Sequence, residues 1–182
     1  MKSVVIYNLQ TGFTKKYAEW IAYKLKCDIF PVKEISSKKM LEYDTVIYGG
    51  FLYAVGITGI KKIKNNMSKF SGKKIAIFDV GASPSSEKVY EKVKAKNFTS
   101  EELKKIKVFY MRGGFDFTKL SFLNKILMNM LKAMMLKKKE RTPDEEGMIS
   151  LCECPVDFTD KGRMLNLSNP DCSVLTETKS AI

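Results

Sequence analysis

Apolar, β-branched stretches alternate along much of the chain with stretches whose apolar positions recur every three or four residues. This alternation predicts buried strands separated by helices, as in βαβ units. The predicted strands are five segments: Lys2–Tyr7, Asp28–Lys33, Thr45–Tyr48, Lys74–Val80 and Lys107–Arg112. Parallel strands of this kind are covered on both faces and joined by right-handed crossovers. We therefore expect an α/β fold, a doubly wound five-stranded parallel sheet of order 2-1-3-4-5 with helices on both faces.

The segments between the predicted strands supply the covering helices. Over Thr14–Lys26 the apolar side chains lie on one helical face and the charged ones on the other,. Ile60–Phe70 shows the same spacing. Ser86 and Ser100 are predicted N-caps of two further helices. The pair Gly49-Gly50 is expected to end the third strand.

The loop after the first strand, Asn8–Thr14, runs into a helix through Thr11-Gly12-Phe13-Thr14. Backbone N–H groups, two hydroxyls and the positive end of a helix dipole then point at one spot, which suits a phosphate. The loops after the third and fourth strands, Gly50–Gly59 and Val80–Ser86, lie at the same edge of such a sheet. The loop Gly50–Gly59 offers aromatic side chains among glycines, on which a flat ring could stack,. The loop Val80–Ser86 has small and polar residues, which leave its backbone N–H groups accessible. Together the loops predict a binding site for a mononucleotide with a planar base. Flavin mononucleotide (FMN) is the first candidate.

The three loops resemble those of the flavodoxin family. Thr11–Thr14 is similar to the phosphate-loop signature (Thr/Ser)-x-Thr-Gly-x-Thr, and Gly49–Ala54 and Val80–Pro84 resemble the two flavin-ring loops. Gly113–Phe117 and the following helix are similar to the menaquinone-dependent protoporphyrinogen oxidase branch. The chain departs from the signature at Leu9, where the family has Thr or Ser. The missing hydroxyl contact costs on the order of 1 kcal/mol of phosphate binding.

The resemblance, which covers roughly the first 140 residues, implies an FMN-binding redox protein, either an electron carrier or a small flavin-dependent oxidoreductase. A flavin-free binding or regulatory module of the same fold is the alternative. Taken singly, each loop also fits a plain structural role, such as a tight turn or a helix cap. No catalytic residue and no metal ligand is assigned. The expected cofactor-binding residues are Asn8, Gln10, Thr11, Gly12, Phe13, Thr14, Gly50, Phe51, Leu52, Tyr53, Ala54, Val80, Gly81, Ala82 and Ser83.

Composition narrows the chemistry. The chain has no histidine, which excludes Ser-His and Cys-His nucleophile pairs and makes a bound cofactor the economical source of reactivity,. The net charge is +12, and nearly all of the 32 basic residues are lysine. Nucleic-acid readers favour arginine, so we expect no nucleic-acid partner. The redox partner is expected to be a protein or an apolar small molecule, and the short apolar run at the N-terminus predicts a cytoplasmic location.

Leu120–Leu136 predicts a helix with only a narrow polar stripe, formed by Lys125, Asn129 and Lys132. It is apolar over more surface than one sheet face requires. Two interpretations stay open: packing under a C-terminal segment or in a homodimer, and docking of residues 120–141 on a membrane surface or an apolar substrate. The domain is expected to span residues 1–165, with an irregular tail over 166–182.

Overall fold

The computed structural model describes residues 1–9, 12–53, 55–83 and 86–161. Its strands are β1 (Ser3–Tyr7), β2 (Asp28–Pro31), β3 (Thr45–Tyr53), β4 (Gly56–Ile57), β5 (Lys74–Gly81), β6 (Ile106–Arg112), β7 (Gly114–Phe115) and β8 (Val156–Asp157). The helices are α1 (Phe13–Leu25), α2 (Ser37–Met40), α3 (Lys61–Lys64), α4 (Glu87–Asn97), α5 (Ser100–Leu103), α6 (Phe122–Leu136) and α7 (Pro143–Glu153). Met67–Phe70 and Phe117–Lys119 are 3₁₀ turns.

The long strands form one parallel sheet in the spatial order β2-β1-β3-β5-β6. Counted along the five long strands, this is the predicted order 2-1-3-4-5, so the flavodoxin-like α/β fold expected from the sequence is confirmed. The strand count of five was too low. β4 adds to the main sheet by pairing antiparallel with β3, and β7 and β8 form a separate antiparallel ribbon.

The sheet separates two apolar layers. On one face α1 packs through Tyr17, Ala18 and Ile21 against alternate residues of the central strands, including Val5 and Phe78. The opposite face is covered by α2, α3, α4 and the Met67–Phe70 turn, whose buried side chains are Met40, Ile63, Val93 and Phe70. Because both faces are covered, the central strands are apolar on both sides, which explains their continuous apolar sequence.

The third strand runs past Gly49-Gly50 instead of ending there, which corrects the sequence-based expectation. A Cβ on Gly49 would lie 2.1 Å from the ring of Phe78, and one on Gly50 would lie 2.5 Å from Ile57 Cγ2. Both glycines are buried inside β3. They permit close packing of the strand against neighbouring side chains and do not mark a turn.

One predicted N-cap is corrected and one is confirmed. The N-cap of α5 is Thr99, not Ser100, and it forms a capping box with Glu102,. Ser86 caps α4 as predicted. Pro143 begins α7, and β8 lies within Pro155–Asp160. The predicted tail over 166–182 lies outside the described residues. Within the described part of the chain, no helix combines the length and apolarity that crossing a bilayer requires.

Asp79 is a fully buried carboxyl on β5, between Gly50 of β3 and Tyr110 of β6 in register. Among the described residues, neither of its side-chain oxygens has a hydrogen-bond partner. Burial raises the pKa of Asp79 to about 7. An ionised carboxylate is poorly accommodated at such a position, so the folded protein holds this group in its neutral form into the neutral pH range.

Substitution of Asp79 by Asn is therefore expected to stabilise the protein at neutral and higher pH. In the unfolded chain the carboxyl ionises near 3.8, but in the folded protein only near 7. Between these values the unfolded state binds fewer protons, so the stability of the natural protein falls as pH rises. The full effect, reached above pH 7, is at most about 4 kcal/mol.

Chemical unfolding of the natural protein and Asp79→Asn across this pH range measures the difference. The two proteins are expected to converge toward acid pH and to separate as pH rises. Glu42→Gln, which removes an exposed carboxylate, is the matched control. A stability difference that does not change with pH would contradict the prediction.

Candidate functional site

The start of α1 is open to an external anion. Gly12 is its N-cap residue, with a φ of 92° and no side-chain cap. Among the described residues, a Cβ at this position would meet nothing within 4 Å, so the glycine serves the left-handed backbone,. The other helices of comparable length, α4, α6 and α7, are each capped by the serine or threonine side chain at their N-cap. Because Gly12 offers no such side chain, the first N–H groups of α1 suit a phosphate,.

Ring-sized space lies beside this helix start, at the carboxyl edge of the sheet. The cavity has a volume of about 350 Å³. Its floor and walls come from the strand ends and the helix start, through Phe13, Phe51, Leu52, Tyr53, Val80, Gly81, Ala82, Gly114 and Phe115. An apolar slot with backbone edges suits a flat heteroaromatic ring.

The predicted binding residues differ in their position relative to this cavity. Phe13, the stretch Phe51–Tyr53 and the stretch Val80–Ala82 line this cavity. Ser83 lines an adjoining cavity instead. Gly50 is buried within β3 and is not among the lining residues. Asn8, Gly12 and Thr14 lie along the path from β1 into α1, where the backbone N–H of Asn8 donates to the Gly49 carbonyl at 2.8 Å. Gln10, Thr11 and Ala54 lie outside the described residues.

The first ring loop, which contains Phe51–Tyr53, is held in place by Asn97 of α4. The buried side chain of Asn97 accepts a hydrogen bond from the Ile57 N–H at 2.8 Å and donates to the Val55 carbonyl at 2.8 Å. Thr58 bonds the Phe51 carbonyl through both its N–H and its hydroxyl. Val55 has a φ of 65°, unusual for a β-branched residue, and these bonds hold it there,. Asn97 was not predicted, because a lone asparagine near a helix end carries no distinctive sequence signal.

The second ring loop, which contains Val80–Ser83, is held in place by Tyr110 of β6. Its hydroxyl donates to the Ser83 carbonyl at 2.7 Å. A Cβ on Gly81 would lie 2.6 Å from that hydroxyl and 3.1 Å from Leu52 Cδ1. Glycine at 81 therefore lets the tyrosine pass beneath the loop and lets both ring loops approach each other.

The roof of the cavity lies outside the predicted binding residues, although docking of an apolar substrate on residues 120–141 was one of the two interpretations left open by the sequence. It is formed by Leu120, which precedes α6, by the inner side of α6 through Asn124, Leu127, Met128 and Leu131, and by Met148 of α7. The narrow polar stripe of the predicted helix was the available signal, since it indicated that this helix covers more than one surface. Met128 and Met148 are flexible side chains that adapt to irregular space.

Helices α6 and α7 belong to the segment that connects β7 to β8, which we call the excursion. Three contacts anchor the return: Lys16 Nζ to Asp157 Oδ2 at 2.8 Å, the Phe158 N–H to the Gly113 carbonyl, and the Asp160 N–H to the Tyr17 hydroxyl. Burial acts to raise the pKa of Asp157, but the hydrogen bonds from Lys16 and Thr159 lower it to about 2. The excursion is therefore joined to α1, the helix whose first turn is the predicted phosphate position.

A second cavity of about 770 Å³ adjoins the first and shares Ala82, Phe115, Met128 and Met148 with it. Arg112 and Glu145 are the charged side chains in its lining. The Arg112 guanidinium stacks on the ring of Phe158, 3.8 Å from its centre. In the described part of the chain, no group of three or more His, Cys, Asp or Glu side chains comes together as a metal site would require.

The family to which these features belong is established by comparison with known proteins. A model of the flavodoxin domain matches residues 4–142, most of the chain. The chain belongs to the flavodoxin domain family. This confirms the family expected from the sequence and, at the level of the family, FMN as its cofactor. The narrower resemblance to the protoporphyrinogen oxidase branch stays a prediction. No curated protein matches the chain.

Solved structures similar to this chain include three of low sequence identity. The Trp repressor binding protein from Bacillus subtilis is 16% identical, with a TM-score of 0.48 over 77% of this chain and 100% of that one. A flavodoxin from the domain Archaea is 15% identical, with a TM-score of 0.40 over 84% and 97%. A flavoprotein from Lactobacillus acidophilus in complex with FMN is 20% identical, with a TM-score of 0.42 over 61% and 91%.

Leu9 provides a test of the phosphate position. Its side chain is 57% exposed just after β1, so it packs little and can be changed at small cost to stability. Substitution by Thr restores the hydroxyl of the family signature and is expected to raise FMN affinity up to about tenfold, the worth of one additional hydrogen bond. Fluorescence titration of flavin-free protein with FMN measures the change.

Leu9→Val is the matched control, because valine has the shape of threonine without the hydroxyl. The prediction requires that Thr bind FMN more tightly than Val does. Equal affinities for the two variants would place the phosphate elsewhere.

Proposed function

We propose that this protein binds FMN and acts as an oxidoreductase on an apolar small molecule that enters the cavity beneath α6. The first-turn N–H groups of α1 would hold the phosphate. The stretches Phe51–Tyr53 and Val80–Ala82 would hold the ring. Bound there, FMN would supply the transfer of electrons, a chemistry that protein side chains supply poorly.

The observation that carries this proposal is the apolar roof. An electron carrier serves a protein partner best when the ring edge is exposed, whereas here α6 and α7 close over the ring position. The described lining of the cavity holds no charged side chain. A substrate that shares this space with the ring must therefore be apolar where it contacts Leu127 and Met128.

The side chains that line the cavity have separate roles in this proposal. Leu127, Met128 and Met148 exclude water from the ring position,. Tyr53 and Asn124 are the polar side chains in the described lining, and each offers a donor and an acceptor that can orient a substrate,. Tyr53 is 53% exposed, which places it at the mouth of the cavity.

A visible spectrum of the purified protein, followed by FMN titration, tests cofactor binding. Flavin absorption, or saturable uptake of FMN by colourless protein, is expected. A colourless protein that takes up no FMN would instead support a flavin-free module.

A bulky substitution in the cavity roof distinguishes an oxidoreductase that acts on a small molecule from an electron carrier that serves a protein partner. FMN-loaded protein is reduced chemically and mixed either with a small apolar quinone or with a redox protein such as a cytochrome. Leu127→Trp is expected to slow the quinone reaction about tenfold or more by occupying substrate space, with little effect on the protein acceptor. Met130→Trp is the matched control, because Met130 lies on the same helix but is 57% exposed and outside the cavity lining.

Equal slowing of both acceptors by Leu127→Trp would indicate a disturbed flavin site. No slowing of the quinone reaction would contradict the entry of substrate beneath α6. A reaction that is rapid only with the protein acceptor would support an electron carrier.

A further inference from the structure

The side of α6 that faces away from the cavity is apolar and exposed. Its large side chains are between 51% and 78% exposed: Phe122 (78%), Leu123 (76%), Ile126 (51%), Met130 (57%) and Met134 (60%). We call these five residues the outer face of α6. Single exposed apolar residues are ordinary on protein surfaces, but five on one helix form a patch that indicates a contact.

The outer face is separate from the cavity roof. At 3.6 residues per turn, its five side chains lie within an arc of about 120°. Leu127, Met128 and Leu131, which line the cavity, lie on the remaining side of the helix. The inner side is thus explained by the site beneath it. None of its five residues lines either of the two cavities described above, so its exposure among the described residues requires a different explanation.

The surroundings of the outer face are basic. From Phe117 to Lys139 the sequence contains no acidic residue. Lys125 and Lys132 follow one border of the face on the helical wheel, and Lys137, Lys138, Lys139 and Arg141 follow its C-terminal end. Lys132 and Lys138 pair with Glu153 and Glu145 of α7. The chain as a whole carries a net charge of +12.

We propose that the outer face of α6 docks on an anionic lipid bilayer. The apolar side chains would enter the boundary between headgroups and acyl chains, and Lys137, Lys139 and Arg141 would lie among lipid phosphates. Charge favours this occupant over a second copy of the chain. Two outer faces brought together would place basic clusters of the same sign near each other, whereas an anionic bilayer attracts every one of them.

The docking proposal rests on the surface alone and does not require the proposed function. If both hold, the roof of the cavity lies against the bilayer, and a substrate dissolved in lipid reaches the cavity without crossing water. Loss of docking would leave FMN binding in place, so the two proposals fail independently.

Flotation of the full-length protein with vesicles tests the docking. The protein is expected to float with phosphatidylcholine vesicles that contain phosphatidylglycerol, and to float less with phosphatidylcholine alone or at high salt. The double variant Ile126→Glu/Met130→Glu is expected to reduce the bound fraction about tenfold or more. Tyr23→Glu is the matched control, since Tyr23 is 88% exposed on α1.

The basic cluster is tested separately by Lys137→Gln/Lys139→Gln, with Lys104→Gln/Lys105→Gln on the exposed end of α5 as the control. Only the first pair is expected to weaken binding to anionic vesicles. Circular dichroism and FMN uptake confirm that each variant is folded.

Three results would overturn the proposal. One is failure of the natural protein to float with anionic vesicles. Another is flotation that the outer-face and lysine variants leave unchanged. The third is a dimer in light scattering that Ile126→Glu/Met130→Glu dissociates, in a protein that does not bind vesicles, which would assign the outer face to a second copy.

Discussion

The close approach of the Phe78 ring to the backbone of β3 at Gly49 is the contact on which the rest of the site depends. A side chain at 49 has no room beside that ring, and one at 50 has none beneath Ile57. With glycine at both positions, β3 continues straight through the core and delivers Phe51–Tyr53 to the edge of the sheet. The hairpin to β4 then folds back so that Ile57 lies against Gly50, and α4 secures it through Asn97. One steric requirement in the core thereby places the first ring loop.

The parts of this fold that local periodicity determines could be predicted from the sequence. The α1 face and the cap at Ser86 depend on residues close together along the chain, and they were predicted correctly. The strand order was also predicted correctly, because right-handed βαβ crossovers leave few possible topologies. The continuation of β3 could not be predicted, because a Gly-Gly pair ordinarily indicates a turn and the reason for it lies in Phe78, remote in sequence. The β7–β8 ribbon joins residues about forty positions apart, and pairing over that separation leaves no local pattern,.

Some parts of the candidate site could likewise be predicted from the sequence, and others could not. The strand-end loops were identified because glycine, threonine and aromatic residues have recognisable roles at such positions. A substrate-docking role for α6 was left open, but its residues could not be assigned to the site, because methionine and leucine in a helix indicate burial without indicating what they cover. The helical wheel of α6 contained the relevant information in another form. A helix with apolar side chains on nearly all sides must be in contact with more than one surface, and the structure shows one of them.

The excursion formed by α6 and α7 begins and ends at the paired strands β7 and β8, and its return is held to α1 by Lys16 and Tyr17. A segment whose two ends are fixed together can be lengthened, shortened or replaced without stretching the sheet that carries it. In this molecule the strand-end loops belong to the sheet and the roof belongs to the excursion. If the proposed function holds, the choice of reaction partner can therefore change over evolutionary time while the loops proposed to hold the cofactor stay as they are.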